Sequence, residues 1–238
     1  MRRNYLITGA SSQIGQEVCY KALKSGGIVT ALHHSTSKSV FGSLLNHRDF
    51  HAIRVDFSAK DSVEAFLQEY TTVTESTDIF IGLAATRQSV KYGVITSSDL
   101  MSHFMINTVP NVVLIQRISK YMQERRWGRI LVGSSIGVKF GGGLDTYCYS
   151  LSKYAGELIP SRSREWARDG VLYNVLRIGV TSAIGSSGSG LIHSGSRTEL
   201  IPMRRAAEPN EIAEYIYWLT SENNSYVTGQ VLAISGGE

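Results

Sequence analysis

Long apolar runs are missing from this sequence. No stretch approaches the ~18 consecutive apolar residues of a membrane-spanning helix, although 42% of the residues are apolar, the share of an ordinary globular core. Cysteine is scarce: Cys19 and Cys148 stand far apart, in no metal-binding or redox spacing. Two buried thiols, no metal ion and a reducing, cytoplasmic setting are therefore expected. An excess of one charge is missing too. The 24 Lys and Arg against 20 Asp and Glu leave a net charge of +4, and no basic tract or helical stripe provides the footprint of a nucleic-acid binder. A leader peptide is not expected, because Arg2 and Arg3 run directly into a strand-like apolar segment. With membrane, nucleic-acid and disulfide-scaffold classes set aside, the 238 residues suit one large α/β domain.

What is present is an alternation. Short apolar runs at residues 4–9, 28–34, 51–57, 78–85, 128–135, 172–179 and 230–237 are separated by longer segments of helical period. Several runs are rich in Val, Ile and Leu on both faces, as strands covered by helices on either side must be. Repetition of this unit implies right-handed crossovers. The expected fold is a single-domain, Rossmann-type doubly wound sheet of seven parallel strands with helices on both faces, using residues 1–238. One segment breaks the rhythm: residues 181–205, dense in Gly and Ser, follow the sixth strand. A long segment at a strand's carboxyl end reads as a substrate lid, with a disordered loop as the alternative.

The turn after the first strand carries Gly9, Ser11, Ser12, Gln13, Ile14 and Gly15. Small residues here let backbone N–H groups and a helix N-terminus face a pyrophosphate. By itself this spacing is a weak signal. The second strand ends in His33 and His34 without a carboxylate. An acid at that place would bind the ribose of NAD and repel the extra phosphate of NADP, so NADP(H) is favoured over a polar strand end with no cofactor contact. Asp56 reads either as an adenine contact or as a residue of the following helix start.

Tyr149 and Lys153 are four residues apart, on one face of a helix. A lysine there is expected to stabilise a phenolate and draw the tyrosine pKa down from about 10, making Tyr149 a proton donor to a carbonyl oxygen. Tyr147 lacks such a partner, because Leu151 occupies the corresponding place. Ser134 and Ser135 close the preceding strand, and Asn107 lies inside a long helical segment, where a buried amide requires a polar partner.

On these residues the chain resembles the classical short-chain dehydrogenases/reductases from end to end, and most of all the β-ketoacyl-acyl carrier protein reductases. Residues 8–15 occupy the place of the family's Thr-Gly-x-x-x-Gly-x-Gly, residues 128–135 that of its serine-bearing strand, and residues 149–153 that of its Tyr-x-x-x-Lys. The resemblance implies Tyr149 as catalytic acid/base, Lys153 as its pKa-lowering partner and ribose ligand, Ser135 as the group orienting the substrate carbonyl, and Asn107 as support for a water relay. It adds Phe57, Leu83, Ala84, Ile178, Gly179 and Thr181 to the residues meeting NADP(H). It also implies an acidic acyl carrier protein as partner and a homo-tetramer, dimer or mixed complex. Arg125, Arg126 and Arg129, with Arg162, Arg164 and Arg168, are candidates to meet that carrier, the alternative for the first three being a solvated helix end. Leu191, Ile192, Leu200, Ile201 and Met203 are candidates to cover an acyl chain.

There are departures. Gln13 replaces the middle glycine of the loop, residues 82–85 read Gly-Leu-Ala-Ala where the family has Asn-Asn-Ala-Gly, and Ile178-Gly179 replace Pro-Gly. Pro160 falls within the helix of Lys153, where it should end or kink that helix. The expected function is NADPH-dependent reduction of a β-ketoacyl thioester in fatty-acid or polyketide-like biosynthesis. The alternatives are a dehydrogenase of a free alcohol, sugar or ketone, and a non-catalytic nucleotide-binding partner subunit.

Overall fold

The computed structural model describes residues 2–34, 37–158, 162–182 and 198–238. Seven strands form one parallel sheet: β1 (Asn4–Thr8), β2 (Ile28–His33), β3 (Phe50–Arg54), β4 (Ile79–Gly82), β5 (Gly128–Ser135), β6 (Val171–Ile178) and β7 (Gln230–Ile234). Their spatial order is β3-β2-β1-β4-β5-β6-β7, so the winding reverses between β1 and β4. The crevice outside their carboxyl ends is where such sheets receive ligands. The expected doubly wound fold is the one observed.

Alternate residues along each strand face opposite layers. Ile7, Val29, Ile81, Leu131 and Leu176 meet helices α1 (Gln13–Lys24) and α8 (Pro209–Thr220) through Val18, Cys19, Ala22, Ile212 and Ile216. Their neighbours Leu6, Leu32, Phe80, Ile130 and Val175 pack against α5 (Val109–Glu124) through Leu114, Ile115, Ile118 and Met122. Both cysteines are buried free thiols, as anticipated. Among the described residues no helix is long and apolar enough to cross a membrane.

The remaining helices are α2 (Ser62–Glu69), α3 (Thr71–Ser76), α4 (Ser97–Asn107), α6 (Tyr147–Glu157) and α7 (Ser163–Arg168). The long helix expected to contain Asn107 is in fact two. Thr108, at φ −120°, separates α4 from α5, and Pro110 occupies the first turn of α5. Proline has no N–H, and its ring opposes the carbonyl four residues back, so the α-helical ladder cannot run through. Asn107 is therefore the last residue of α4 rather than a mid-helix residue. The helix of Lys153 ends at Glu157, ahead of Pro160, which lies outside the described residues.

Candidate active site

The turn after β1 is built by glycine at two points. Gly9 has φ +64°, and a Cβ there would fall 2.6 Å from the Ala84 nitrogen and the Leu83 carbonyl carbon. A Cβ on Gly15 would fall 2.5 Å from the Gly9 oxygen. Ser12 is the N-cap of α1: its hydroxyl donates to the Gly9 carbonyl (2.9 Å) and accepts from the Gly15 N–H (3.0 Å). Its one hydrogen is therefore used within the loop. The Gln16 N–H is bonded to the Ser12 carbonyl, so the N–H groups of Gln13 and Ile14 remain at the open end of the first turn. Gln13 is exposed and already helical, so its side chain lies outside the turn. Ser11 offers its hydroxyl beside it, while its carbonyl accepts from the Gln16 side chain (3.0 Å).

The ends of β2 and β3 differ in part from expectation. His33 is only 3% exposed, its ring edge-on to Phe41 at 5.3 Å. The segment Lys38–Asn46, a 3₁₀ stretch unforeseen in the sequence, brings Phe41 over it, so the His33 ring faces the core rather than a ligand. His34 is exposed, 3.5 Å from Asp56. Asp56 does not begin α2, whose N-cap is Asp61. Its carboxylate accepts from the Ser58 N–H and hydroxyl (2.9 and 2.6 Å), and these bonds lower its pKa. Phe57 is buried in the core, which leaves only its backbone for a ligand. Arg54, not foreseen, is exposed next to His34, whose carbonyl its Nε meets at 3.5 Å.

At the other wall, Thr8 braces the segment after β4: its buried Oγ1 accepts from the N–H groups of Leu83 and Ala84, both at 3.1 Å. Ile178 pairs in register with Ser135. The Gly179 N–H bonds the Ile234 carbonyl at 2.9 Å, and Thr181 forms a bridge with Ala207. Of the expected lid, residues 183–197, including Leu191 and Ile192, lie outside the described residues. Leu200 and Met203 are exposed, whereas Ile201 is buried against Gly236 and anchors the segment instead of covering a substrate.

Ser135, Tyr149 and Lys153 converge at the carboxyl end of β5. Ser135 stands near enough to the Tyr149 phenol to lower its pKa, and Ser135 Oγ accepts from the Gly137 N–H (3.2 Å). Ser134, the neighbouring candidate, instead donates to Glu157 at 2.6 Å. Lys153 is buried, and its Nζ donates to the Gly133 carbonyl at 2.8 Å while standing 6.0 Å from the Tyr149 ring centroid. Burial raises the Tyr149 pKa, with Ser135 and then Arg87 opposing the rise. The expected net lowering by Lys153 is thus reversed, because desolvation of the phenolate dominates and the ammonium is directed at a backbone carbonyl.

Burial pushes the Lys153 ammonium down to about 8. An unfolded lysine titrates near 10.4, so between these values the unfolded chain binds the extra proton and stability rises with pH. From pH 7.5 to 9.5 the rise amounts to roughly 2 kcal/mol. Urea melts of the wild type and of Lys153→Met at the two pH values check this: the variant should lose the rise, and an unchanged rise would rule out Lys153 as its source.

The Asn107 side chain makes three bonds within the protein: Oδ1 accepts from the Thr86 N–H (2.7 Å), and Nδ2 donates to the Thr86 carbonyl (3.0 Å) and to Ser152 Oγ (2.8 Å). It thus braces the loop after β4 against α6. Two further features escaped sequence reasoning. Arg87, next to Thr86, is an exposed cation close enough to favour the Tyr149 phenolate. Glu157, four residues beyond Lys153, makes a buried bidentate pair with Arg177 at 2.9 and 2.6 Å.

In the basic cluster at the end of α5, Arg125 donates to the carbonyls of Glu75 and Thr77, Arg126 is exposed, and Arg129 is buried on the carbonyls of Gly128, Gly170 and Asn224. The cluster also sits at the amino end of β5, an eight-residue strand about 26 Å long, opposite Ser135. Arg162 pairs with Glu165, while Arg164 and Arg168 are exposed on α7.

A family described as enoyl-(acyl carrier protein) reductase matches residues 9–238. Over 238 residues the chain is 26% identical to the 3-oxoacyl-[acyl-carrier-protein] reductase FabG of Aquifex aeolicus, covering 98% of this chain and 95% of that protein. It is 27% identical over 248 residues to the 2-dehydro-3-deoxy-D-gluconate 5-dehydrogenase of Pseudoalteromonas atlantica, covering 98% and 94%. Among solved structures, ElxO with NADP bound superposes with a TM-score of 0.86 at 22% identity, covering 99% of this chain and 98% of that one.

Proposed function

Because this chain belongs to the short-chain dehydrogenase/reductase family of oxidoreductases, we propose that it is an NADPH-dependent ketoreductase acting on a β-ketoacyl thioester borne by an acyl carrier protein. The observation that carries this reading is the gathering of Ser135, Tyr149 and buried Lys153 at the carboxyl end of β5, with Lys153 bonded to the Gly133 carbonyl and 6.0 Å from the Tyr149 ring centroid. The residues around the β1/β4 crevice fit the cofactor. The Gln13 and Ile14 N–H groups at the start of α1 suit the pyrophosphate, and His34 and Arg54 suit a 2′-phosphate where no carboxylate stands free. Asp56, ionised and hydrogen-bonded to Ser58, lies 3.5 Å from His34, which leaves Arg54 as the permanent cation for that phosphate.

Bound NADPH supplies a hydride to the carbonyl carbon. Ser135 donates a hydrogen bond to the carbonyl oxygen, and Tyr149 protonates that oxygen as charge develops on it. Burial favours the neutral phenol, which keeps the proton on Tyr149 until then. Lys153, held by the Gly133 carbonyl, is the group next to Tyr149 suited to restoring its proton. Assembly as a homo-dimer or homo-tetramer belongs to the same proposal and is supported by exposed Met101, Tyr154 and Leu158.

One observation favours the second reading, reduction of a free ketone. Arg87 has no ion-pair partner among the described residues and is near enough to favour the Tyr149 phenolate, where an anionic substrate group would meet it, and a carrier-bound thioester has no charge near its reacting carbonyl. Turnover of a carrier-linked β-ketoacyl thioester, a β-keto acid and a neutral ketone, followed as NADPH consumption, separates the two. The thioester should be preferred, and Arg87→Gln should leave its kcat/KM within about threefold. If the β-keto acid is preferred and Arg87→Gln lowers its kcat/KM by roughly tenfold or more, the second reading replaces the first.

A further inference from the structure

The end of β4 and the start of α5 are matched to each other. The helical ladder is interrupted at Thr108, so the Asn107 carbonyl is not met by the backbone N–H of Asn111. The Asn111 side chain takes its place: Nδ2 donates to that carbonyl at 3.0 Å. The same amide is 1% exposed, and among the described residues its Oδ1 has no hydrogen-bond partner. That oxygen lies 2.1 Å from where a Cβ on Gly82 would stand. A side chain at position 82 and the Asn111 amide therefore exclude one another. The bare end of β4 is what allows an amide to reach the Asn107 carbonyl from this side.

What Asn111 holds is the junction already described. Asn107 joins Thr86 to Ser152, and the Ser152 hydroxyl donates to the Tyr149 carbonyl at 2.7 Å. The Thr108 hydroxyl donates to the Ser152 carbonyl at 2.8 Å. A buried network of this kind locks rotamers only while each member stays bonded. We infer that Asn111, admitted by Gly82, is a positioning residue: it fixes the Asn107 amide and thereby the loop after β4 relative to the helix that carries Tyr149. For catalysis this rests on the ketoreductase reading, whereas the positioning itself does not.

The test uses Asn111→Ala, the milder Asn111→Ser, and the double variant Gly82→Ala/Asn111→Ala, whose new methyl group refills part of the vacated space. Amide exchange is read at Thr86, with Leu83 and Ala84, held independently by Thr8, as internal controls. In all three variants Thr86 exchange should rise at least tenfold with the controls unchanged. The kcat should fall by roughly 10- to 100-fold, the scale of a small misplacement of a reacting group, with KM within about threefold. The double variant should regain melting temperature over Asn111→Ala without regaining kcat. Unchanged exchange at Thr86, or a double variant that recovers kcat together with stability, overturns the positioning role and leaves only cavity filling. If the wild type reduces no ketone, the function proposed above fails while Thr86 exchange still decides the role of Asn111.

Discussion

Replacing Tyr149 with phenylalanine should abolish carbonyl reduction while leaving NADPH binding within about threefold of the wild type. The substitution removes one oxygen, the atom placed to protonate the substrate, and keeps the ring that packs between Ser135 and Lys153. Loss of a positioned general acid costs typically 10²–10⁴ in rate, and no neighbouring hydroxyl is set to substitute. Ser135 accepts from Gly137, and Ser152 is bonded to the Tyr149 carbonyl. Single-turnover kinetics with saturating NADPH, beside a fluorescence titration of the nucleotide, measures both halves. A kcat reduced less than tenfold would remove Tyr149 from the proton transfer. Loss of nucleotide binding would instead show that its main contribution is to the cofactor.

The second large effect is expected at Glu157, a residue with no obvious part in the chemistry. Its carboxylate is buried, grips the Arg177 guanidinium with both oxygens and accepts from Ser134. The pair keeps Arg177 firmly protonated and ties α6 to β5 and β6 one turn beyond Lys153. Glu157→Ala strips the guanidinium of its counter-charge and leaves the Ser134 hydroxyl without its acceptor. Breaking a buried pair from one side costs about 3–5 kcal/mol, which for a chain of this size lowers the melting temperature by roughly 6–20 °C. Adding Arg177→Met should return a large part of that loss, since no unpaired charge then remains. Calorimetry of the single and double variants provides the measurement. A single variant that melts within about 2 °C of the wild type would mean that Arg177 finds water or another partner at little cost.

Much of the fold was legible from residue order. Seven apolar runs alternating with helical segments leave few topologies once crossovers are right-handed, and each run became a strand within a few residues of its expected bounds. Helix limits were less legible. A single residue, Pro110, split one helical segment in two and moved Asn107 from a helix interior to a helix end.

At the site, local chemistry was readable where one short segment contains all of it. The spacing of Tyr149 and Lys153 follows from helical period alone, and Gly9 and Gly15 mark a turn that admits no side chain. Contacts between distant segments were not readable. The basic residues around position 125 look like a charged patch in the sequence, yet Arg125 and Arg129 turn inward onto backbone carbonyls. His33 looks like a ligand group, yet a 3₁₀ stretch brings Phe41 over it.

The sequence by itself determined the doubly wound sheet, the glycine-built turn after β1 and the placing of Tyr149 and Lys153 on one helix face. Each depends on period, sterics or side-chain chemistry within a few neighbouring residues. Only the tertiary structure decided which serine stands near Tyr149, where the Lys153 charge is directed, that Thr8 bonds the segment after β4 while Asn111 packs against its bare end, and that Glu157 ties down the helix of Lys153. Those outcomes rest on burial and on pairings between residues far apart in the chain, as in Thr8 and Ala84, and desolvation and hydrogen-bond geometry exist only once the chain has closed on itself.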